Sequence, residues 1–255
     1  MNQALKSIDT YSWQNIRLIA TDMDGTLTQG EKFSAELFQT LNQLSAAGID
    51  VLVTTGRSAG WVQAIATYLP VVGAIAENGG LLYWGQDPQP HLLGGMDIEH
   101  HRLELQRVFK LLQNKFTQIE ESEDNRFRVT DWTFEVSNLS ADELEKIEQI
   151  CQSEGYGFTY STIQCHIKPR EQDKAYGLQQ VIPQYFPDLK PEEIVTIGDS
   201  PNDESMFNQV EFPLSVGVAN VAKYCDRLKY LPAYVTNKSE GAGFCELAEL
   251  IISDR

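Results

Sequence analysis

The chain is poor in cysteine and in positive charge and has no long apolar run, and each shortage removes a class of protein. Its four cysteines, Cys151, Cys165, Cys225 and Cys245, are scattered without a C-x-x-C pair, so neither a disulfide framework nor a cysteine zinc site is expected. Lys and Arg number 20 against 36 Asp and Glu, a formal net charge of −16. Such a surface repels phosphate backbones and anionic headgroups, which argues against nucleic acid and membranes as partners. No stretch approaches roughly eighteen unbroken apolar residues, the least that a spanning helix needs. The segment Met1–Thr10 has no basic start with an apolar stretch behind it, so no secretory signal is expected and the cytoplasm is the expected location. Internal repeats and low-complexity stretches are missing too. With 255 residues, 42% of them hydrophobic, the chain can bury a full core and divide in two.

What is present is acid at strand ends. Asp22-Met-Asp24-Gly-Thr26 follows the apolar run Leu18-Ile-Ala20. Side chains alternate along a strand, so Asp22 and Asp24 share one side while Met23 takes the other. Like charges held that close repel unless a cation or a proton intervenes, which implies a hard metal ion, a reacting electrophile, or both. A second β-branched run, Glu193–Ile197, ends in Gly198-Asp199-Ser200-Pro-Asn202-Asp203. An Asx turn or a helix cap would explain either cluster alone. Two such clusters, both at strand ends, make the bland explanation hard to sustain.

Two further signals lie between them. Asp50–Thr54 reads as a strand closing on Thr55-Gly56-Arg57-Ser58, where a hydroxyl and free N–H groups at a helix start suit a phosphate oxygen. Val71–Ala76 is another strand, ending at Glu77-Asn78-Gly79-Gly80. Asp173-Lys174 then opens a helical pattern carried by Leu178, Val181, Ile182 and Tyr185. A cation there opposes the helix dipole, so Lys174 needs another reason to be there, although a plain surface lysine is the commoner case.

The order of elements predicts an α/β protein whose core is a doubly wound, Rossmann-like parallel sheet. Strands are expected at 17–21, 49–54, 72–76, 194–197, 214–218 and 234–236, with residues 1–15 as a loose lead-in. Residues 85–169 read differently. A turn-rich start (Asp87–Pro90, Gly94-Gly95) leads to a helix over His100–Phe116 and an alternating run over Arg126–Val136. A helix over Ala141–Glu154 and strands at Gly157–Tyr160 and Ile163–Ile167 follow. The expected division is a discontinuous core, 1–84 plus 170–255, with an α+β domain, 85–169, inserted in it. His100-His101 is a poor metal pair, because adjacent helical residues diverge by about 100°. Trp84 and Trp132 could stack on a sugar ring, but packing is the commoner role.

Taken in order, Asp22-Met-Asp24-Gly-Thr26, Thr55-Gly56-Arg57, Lys174 and Gly198-Asp199-Ser200-Pro-Asn202-Asp203 resemble the four motifs of the haloacid dehalogenase-like phosphohydrolases. Glu77-Asn78-Gly79, Gly217-Val-Ala-Asn220 and Glu240-Gly241-Ala-Gly243 are similar to marks of the Cof-like, type IIB branch, which carries a cap after the third strand. The resemblance is close outside residues 85–165 and faint within them. Arg170-Glu-Gln-Asp173 departs from it, since relatives usually carry glycine or serine before the lysine.

The resemblance implies a Mg²⁺-dependent phosphatase acting on a small phosphorylated metabolite of the sugar phosphate or glycosyl phosphate class. Asp22 would be the nucleophile that takes the phosphoryl group, and Asp24 the general acid and base. Mg²⁺ would be held by Asp22, Asp24 through its carbonyl, Asp199 and Asp203, with Thr55, Gly56 and Lys174 on the phosphoryl oxygens. Arg57, Asn78 and Asn202 are candidate substrate contacts, and the inserted domain would be a recognising lid, with Arg126, Arg128, His166 and Lys168 as its cations to inspect. A sugar phosphomutase of the same fold and a non-catalytic phospho-ligand binding protein are the alternatives. The kept acidic pocket, repulsive when empty, speaks against the second.

Overall fold

In the computed structural model, described for residues 5–85, 87, 89–95, 97–137, 139–161 and 164–255, the strands form two sheets. In chain order the strands are β1 (Lys6–Ser7), β2 (Leu18–Thr21), β3 (Asp50–Thr54), β4 (Gly73–Ala76), β5 (Leu81–Trp84) and β6 (His91–Leu92). They continue as β7 (Trp132–Glu135), β8 (Tyr156–Tyr160), β9 (Gln164–Pro169), β10 (Ile194–Gly198), β11 (Leu214–Gly217) and β12 (Tyr234–Val235). The helices are α1 (Ala35–Ala46), α2 (Ala59–Tyr68), α3 (Ile98–Lys115), α4 (Ala141–Ser153), α5 (Lys174–Tyr185) and α6 (Glu240–Ser253).

Parallel strands covered on both faces need apolar side chains in both directions, and β2 and β10 are buried at every residue. Leu18 and Ala20 pack with Leu178 and Val181 of α5, whereas Ile19 packs with Leu37 and Leu41 of α1 and Leu247 of α6. One residue's shift in register would exchange those faces. The sheet order is β1-β12-β11-β10-β2-β3-β4-β5-β6, parallel from β1 to β4 and antiparallel at β5 and β6. Thr21 of β2 pairs with Ile197 of β10 on one side and Val53 of β3 on the other. The residues just beyond these strands therefore leave the sheet at one edge.

Residues 5–15 are not a loose lead-in. Ser7 and Lys6 extend the sheet beside β12, and Ile8 and Trp13 are fully buried, with the Trp13 indole donating to the Ile8 carbonyl at 2.9 Å. The small sheet has order β7-β9-β8, and α3 and α4 bury Leu105, Phe109, Leu112 and Ile147 against its Phe134 and Ile167. Its first strand is shorter than the alternating run suggests, because Glu123–Phe127 is a 3₁₀ turn and only Trp132–Glu135 is extended. Trp84 packs on Tyr185, and Trp132 lies under the Arg102 guanidinium, so both are packing residues. Ile163, the expected start of the last strand, lies outside the described residues, as do Pro88 and the first four residues.

Candidate active site

Asp22 comes directly after β2, and its N–H donates to the Ile197 carbonyl at 2.9 Å, continuing the ladder one residue past the strands. The turn behind it needs Gly25, whose φ is +81° and where a Cβ would fall 2.6 Å from Asp199 Oδ2. Beyond β10 the chain folds back on itself, with the Asp199 and Ser200 N–H groups donating to Asp203 Oδ2 at 2.8 and 3.0 Å. One oxygen from each of Asp22, Asp199 and Asp203 then lies within 4.8 Å of the others, all three side chains being buried.

Lys174 explains its own position. It is the first residue of α5, behind the N-cap Asp173, and its buried Nζ donates to Asp22 Oδ1 and Asp203 Oδ1 at 2.5 Å each. One ammonium among three buried carboxylates leaves a surplus of negative charge. Burial, followed by repulsion from Asp203, pushes the Asp22 carboxyl up to about 7. Burial and repulsion from Asp22 push Asp199 up to about 8. Burial also disfavours the Lys174 ammonium, but Asp203 and Asp22 outweigh it and hold its pKa above the ordinary lysine value. The lysine gains more from the cluster than any one carboxylate does, since each carboxylate also faces the others. Asp199 Oδ1 is buried with no hydrogen-bond partner, while Asn220 donates to its Oδ2 at 2.8 Å.

Asp24 sits at the mouth, one-fifth exposed and clasped by Arg57, with Nε donating to Oδ2 at 2.8 Å and Nη2 to Oδ1 at 2.6 Å. Thr55 Oγ1 accepts from the Arg57 N–H at 3.2 Å, which orders the loop after β3. A cavity of about 20 Å³ lies between this core edge and the inserted domain. Asp22, Asp24, Thr55, Gly56, Arg57 and Asn202 line it from the core, and Ser161, Gln164 and His166 from the other side. That is room for about one water.

Most of the residues singled out from the sequence are thus brought together. Asn78 stands behind the wall, its Oδ1 accepting from Asn202 Nδ2 at 3.1 Å. Arg126 is not brought in. It is exposed, with its guanidinium over Phe127, and Arg128 instead is buried and donates to the Gly56 carbonyl at 2.9 Å. The 3₁₀ turn is the reason: period-two alternation would put both arginines on one side, and the turn breaks it. His101 Nε2 donates to the Thr130 carbonyl at 2.8 Å, so it is held as a structural contact. Sequence reasoning missed Asn220 as the partner of Asp199, and Glu77 as a buried anchor. The Glu77 carboxylate accepts from the N–H groups of Ala59, Val129 and Thr130 and from the Thr130 hydroxyl. A carboxylate directly after a buried apolar strand was the available signal.

A parallel sheet that delivers acid, hydroxyl and lysine loops to one edge beneath an inserted α+β unit defines a haloacid dehalogenase-like phosphatase, a phosphoric monoester hydrolase. The model of the sucrose-6F-phosphate phosphohydrolase family matches residues 15–246, and the chain belongs to that family. A phosphoglycolate phosphatase of Thermoplasma acidophilum is 27% identical over 228 residues, covering 89% of this chain and 94% of the relative. A solved protein of the same organism superposes with a TM-score of 0.74 at 24% identity, covering 94% of this chain and 98% of that one. A solved sugar phosphatase of haloacid dehalogenase subclass IIB gives 0.65 at 15% identity, covering 91% and 96%. At these identities the two solved structures speak to fold alone. Among the described residues no helix is long and apolar enough to cross a membrane.

Proposed function

We propose that the chain is a Mg²⁺-dependent phosphatase of small phosphorylated metabolites, of the sugar or glycosyl phosphate class, working through a phosphoryl group carried on Asp22. The single observation behind this reading is the three-carboxylate cluster in which Asp199 Oδ1 is buried with no hydrogen-bond partner among the described residues. A buried acceptor without a partner and carboxyls pushed to about 7 and about 8 suit a hard dication that accepts oxygen ligands. Asp22, Asp199, Asp203 and the Asp24 carbonyl would hold Mg²⁺. When bound it would neutralise the approach of a carboxylate to a phosphate dianion and polarise the phosphoryl oxygens.

The chain's own groups divide the remaining work. Asp22 attacks phosphorus in line, and the ester bond to the leaving oxygen breaks. Asp24 acts as the general acid toward that oxygen, and afterwards as the general base toward the water that cleaves the acyl phosphate. For this Arg57 must release Asp24, and its freed guanidinium is then available to the substrate. Lys174, the Thr55 hydroxyl and the backbone at Gly56 hold phosphoryl oxygens as charge spreads over them. The inserted domain closes the cavity against water.

A second reading has support of its own. Curated relatives bear the name phosphoglycolate phosphatase, and an arginine at the mouth of the site suits a small phosphorylated acid. Asp22→Asn is expected to lower phosphate release from an aryl phosphate by about 10³-fold or more. Exhaustive chelation is expected to abolish release, and added Mg²⁺ to restore it. Undiminished turnover in either experiment overturns the proposal.

A further inference from the structure

On the side of the cavity opposite the acidic cluster stands one imidazole, His166 of β9, 1% exposed. Its Nδ1 lies 2.8 Å from Asp131 Oδ2. Asp131 is wholly buried. Burial alone would raise its pKa, but the Arg128 guanidinium overrides it and keeps the carboxyl below the ordinary range. An ionised carboxylate only accepts, so the Nδ1 of His166 carries the proton. Arg128 Nη1 reaches both oxygens of Asp131, at 2.9 and 3.0 Å, and also the Gly56 carbonyl at 2.9 Å, which ties the pair to the phosphate-side loop. Burial pushes the His166 pKa down, leaving a neutral ring whose second nitrogen, Nε2, bears a lone pair. The Cε1 edge between the two nitrogens faces Gly56, since a Cβ built there would meet Cε1 at 3.2 Å.

We infer that His166, held by Asp131 as its positioning residue, accepts a hydrogen bond through Nε2 from a hydroxyl of the leaving group, and so selects phosphate monoesters of polyols and sugars. The inference rests on the phosphatase reading and narrows it. A carboxylate placed at the same point would meet a lone pair, and would be accepted only if the ring took up a proton in a buried site beside Arg128. The geometry therefore separates the sugar-type reading from the phosphoglycolate one, which the names of relatives leave open.

The test is a kcat/KM series on the Mg²⁺-loaded enzyme with glycerol 1-phosphate, propyl phosphate and 2-phosphoglycolate, and with an aryl phosphate to establish the chemistry. Glycerol 1-phosphate is expected to exceed propyl phosphate by about tenfold, the worth of one buried neutral hydrogen bond. His166→Phe should bring that ratio close to one, and His166→Gln, which keeps an acceptor, should retain part of it. Asp131→Asn offers an N–H to Nδ1 and so moves the ring proton to Nε2. Its preference should turn from glycerol 1-phosphate toward 2-phosphoglycolate, a change that a merely structural role would not produce. An unchanged ratio in His166→Phe, or a wild-type enzyme that favours 2-phosphoglycolate, overturns the inference while the phosphatase reading stands. No turnover of any ester, the aryl phosphate included, overturns both.

Discussion

Lys174 sets the charge balance of the acidic cluster, because among the described residues it is the one cation in contact with both Asp22 and Asp203. Replacing it by methionine keeps the length of the side chain and leaves two buried carboxylates facing each other. Breaking a buried pair in this way costs about 3–5 kcal/mol. Urea denaturation of metal-free Lys174→Met at pH 8 should show a loss of that order, and the loss should shrink at pH 5, where the carboxyls take up protons. A loss independent of pH would mean that packing, and not charge, keeps the lysine there.

At the level of elements, the attachment of the inserted domain depends on Glu77. Its backbone has φ of +54°, a left-handed conformation that is costly for a non-glycine residue, and the hydrogen bonds it accepts from 59 and from 129–130 offset that cost. Burial, aided by Asp131, raises the Glu77 pKa, yet five donors surround the carboxylate. Glu77→Gln turns an acceptor-only group into one with two N–H donors facing N–H groups. The expected loss is about 1.5–3 kcal/mol in urea, the worth of a charge-assisted hydrogen bond. Hydrogen exchange should quicken at the Val129 and Thr130 amides before it does at those of β2. Equal exchange at both would remove Glu77 as the anchor.

For the molecule as a whole, stability is linked to pH through the carboxyls of the cluster, and on the proposed reading to Mg²⁺ through the same groups. Asp22 and Asp199 bind protons more tightly folded, at about 7 and about 8, than at their ordinary value of 3.8. Between about pH 4 and pH 8 the metal-free fold therefore holds more of these protons than the unfolded chain, so this contribution falls as pH rises. It is complete below the ordinary carboxyl value and is lost as pH passes upward through the folded values. On the proposed reading, bound Mg²⁺ would favour the ionised forms and act in the other direction. Thermal melts should show a gain from saturating Mg²⁺ that is larger at pH 8 than at pH 5, with about 2.7 kcal/mol expected at a hundredfold excess over Kd. A gain that is the same at both pH values, or absent, would place the metal elsewhere.

Local chemistry was enough to read Asp22, Asp24, Thr55, Asp199 and Asp203, because each lies within a few residues of the strand that delivers it. The parallel sheet, its alternating helices and the inserted α+β segment were readable for the same reason: apolar periodicity reports burial at short range. Contacts between distant segments were not readable. That the Trp13 N–H donates to Asp254 and that β1 joins β12 follow from packing across more than two hundred residues, to which no local pattern corresponds. The choice of Arg128 over Arg126 was decided by a 3₁₀ turn that interrupts an otherwise strand-like run. The sequence alone determined which groups could do phosphoryl chemistry. Only the tertiary structure decided which of them meet, and that a neutral histidine backed by a buried aspartate faces them, since burial and charge pairing exist only once the chain has closed around them.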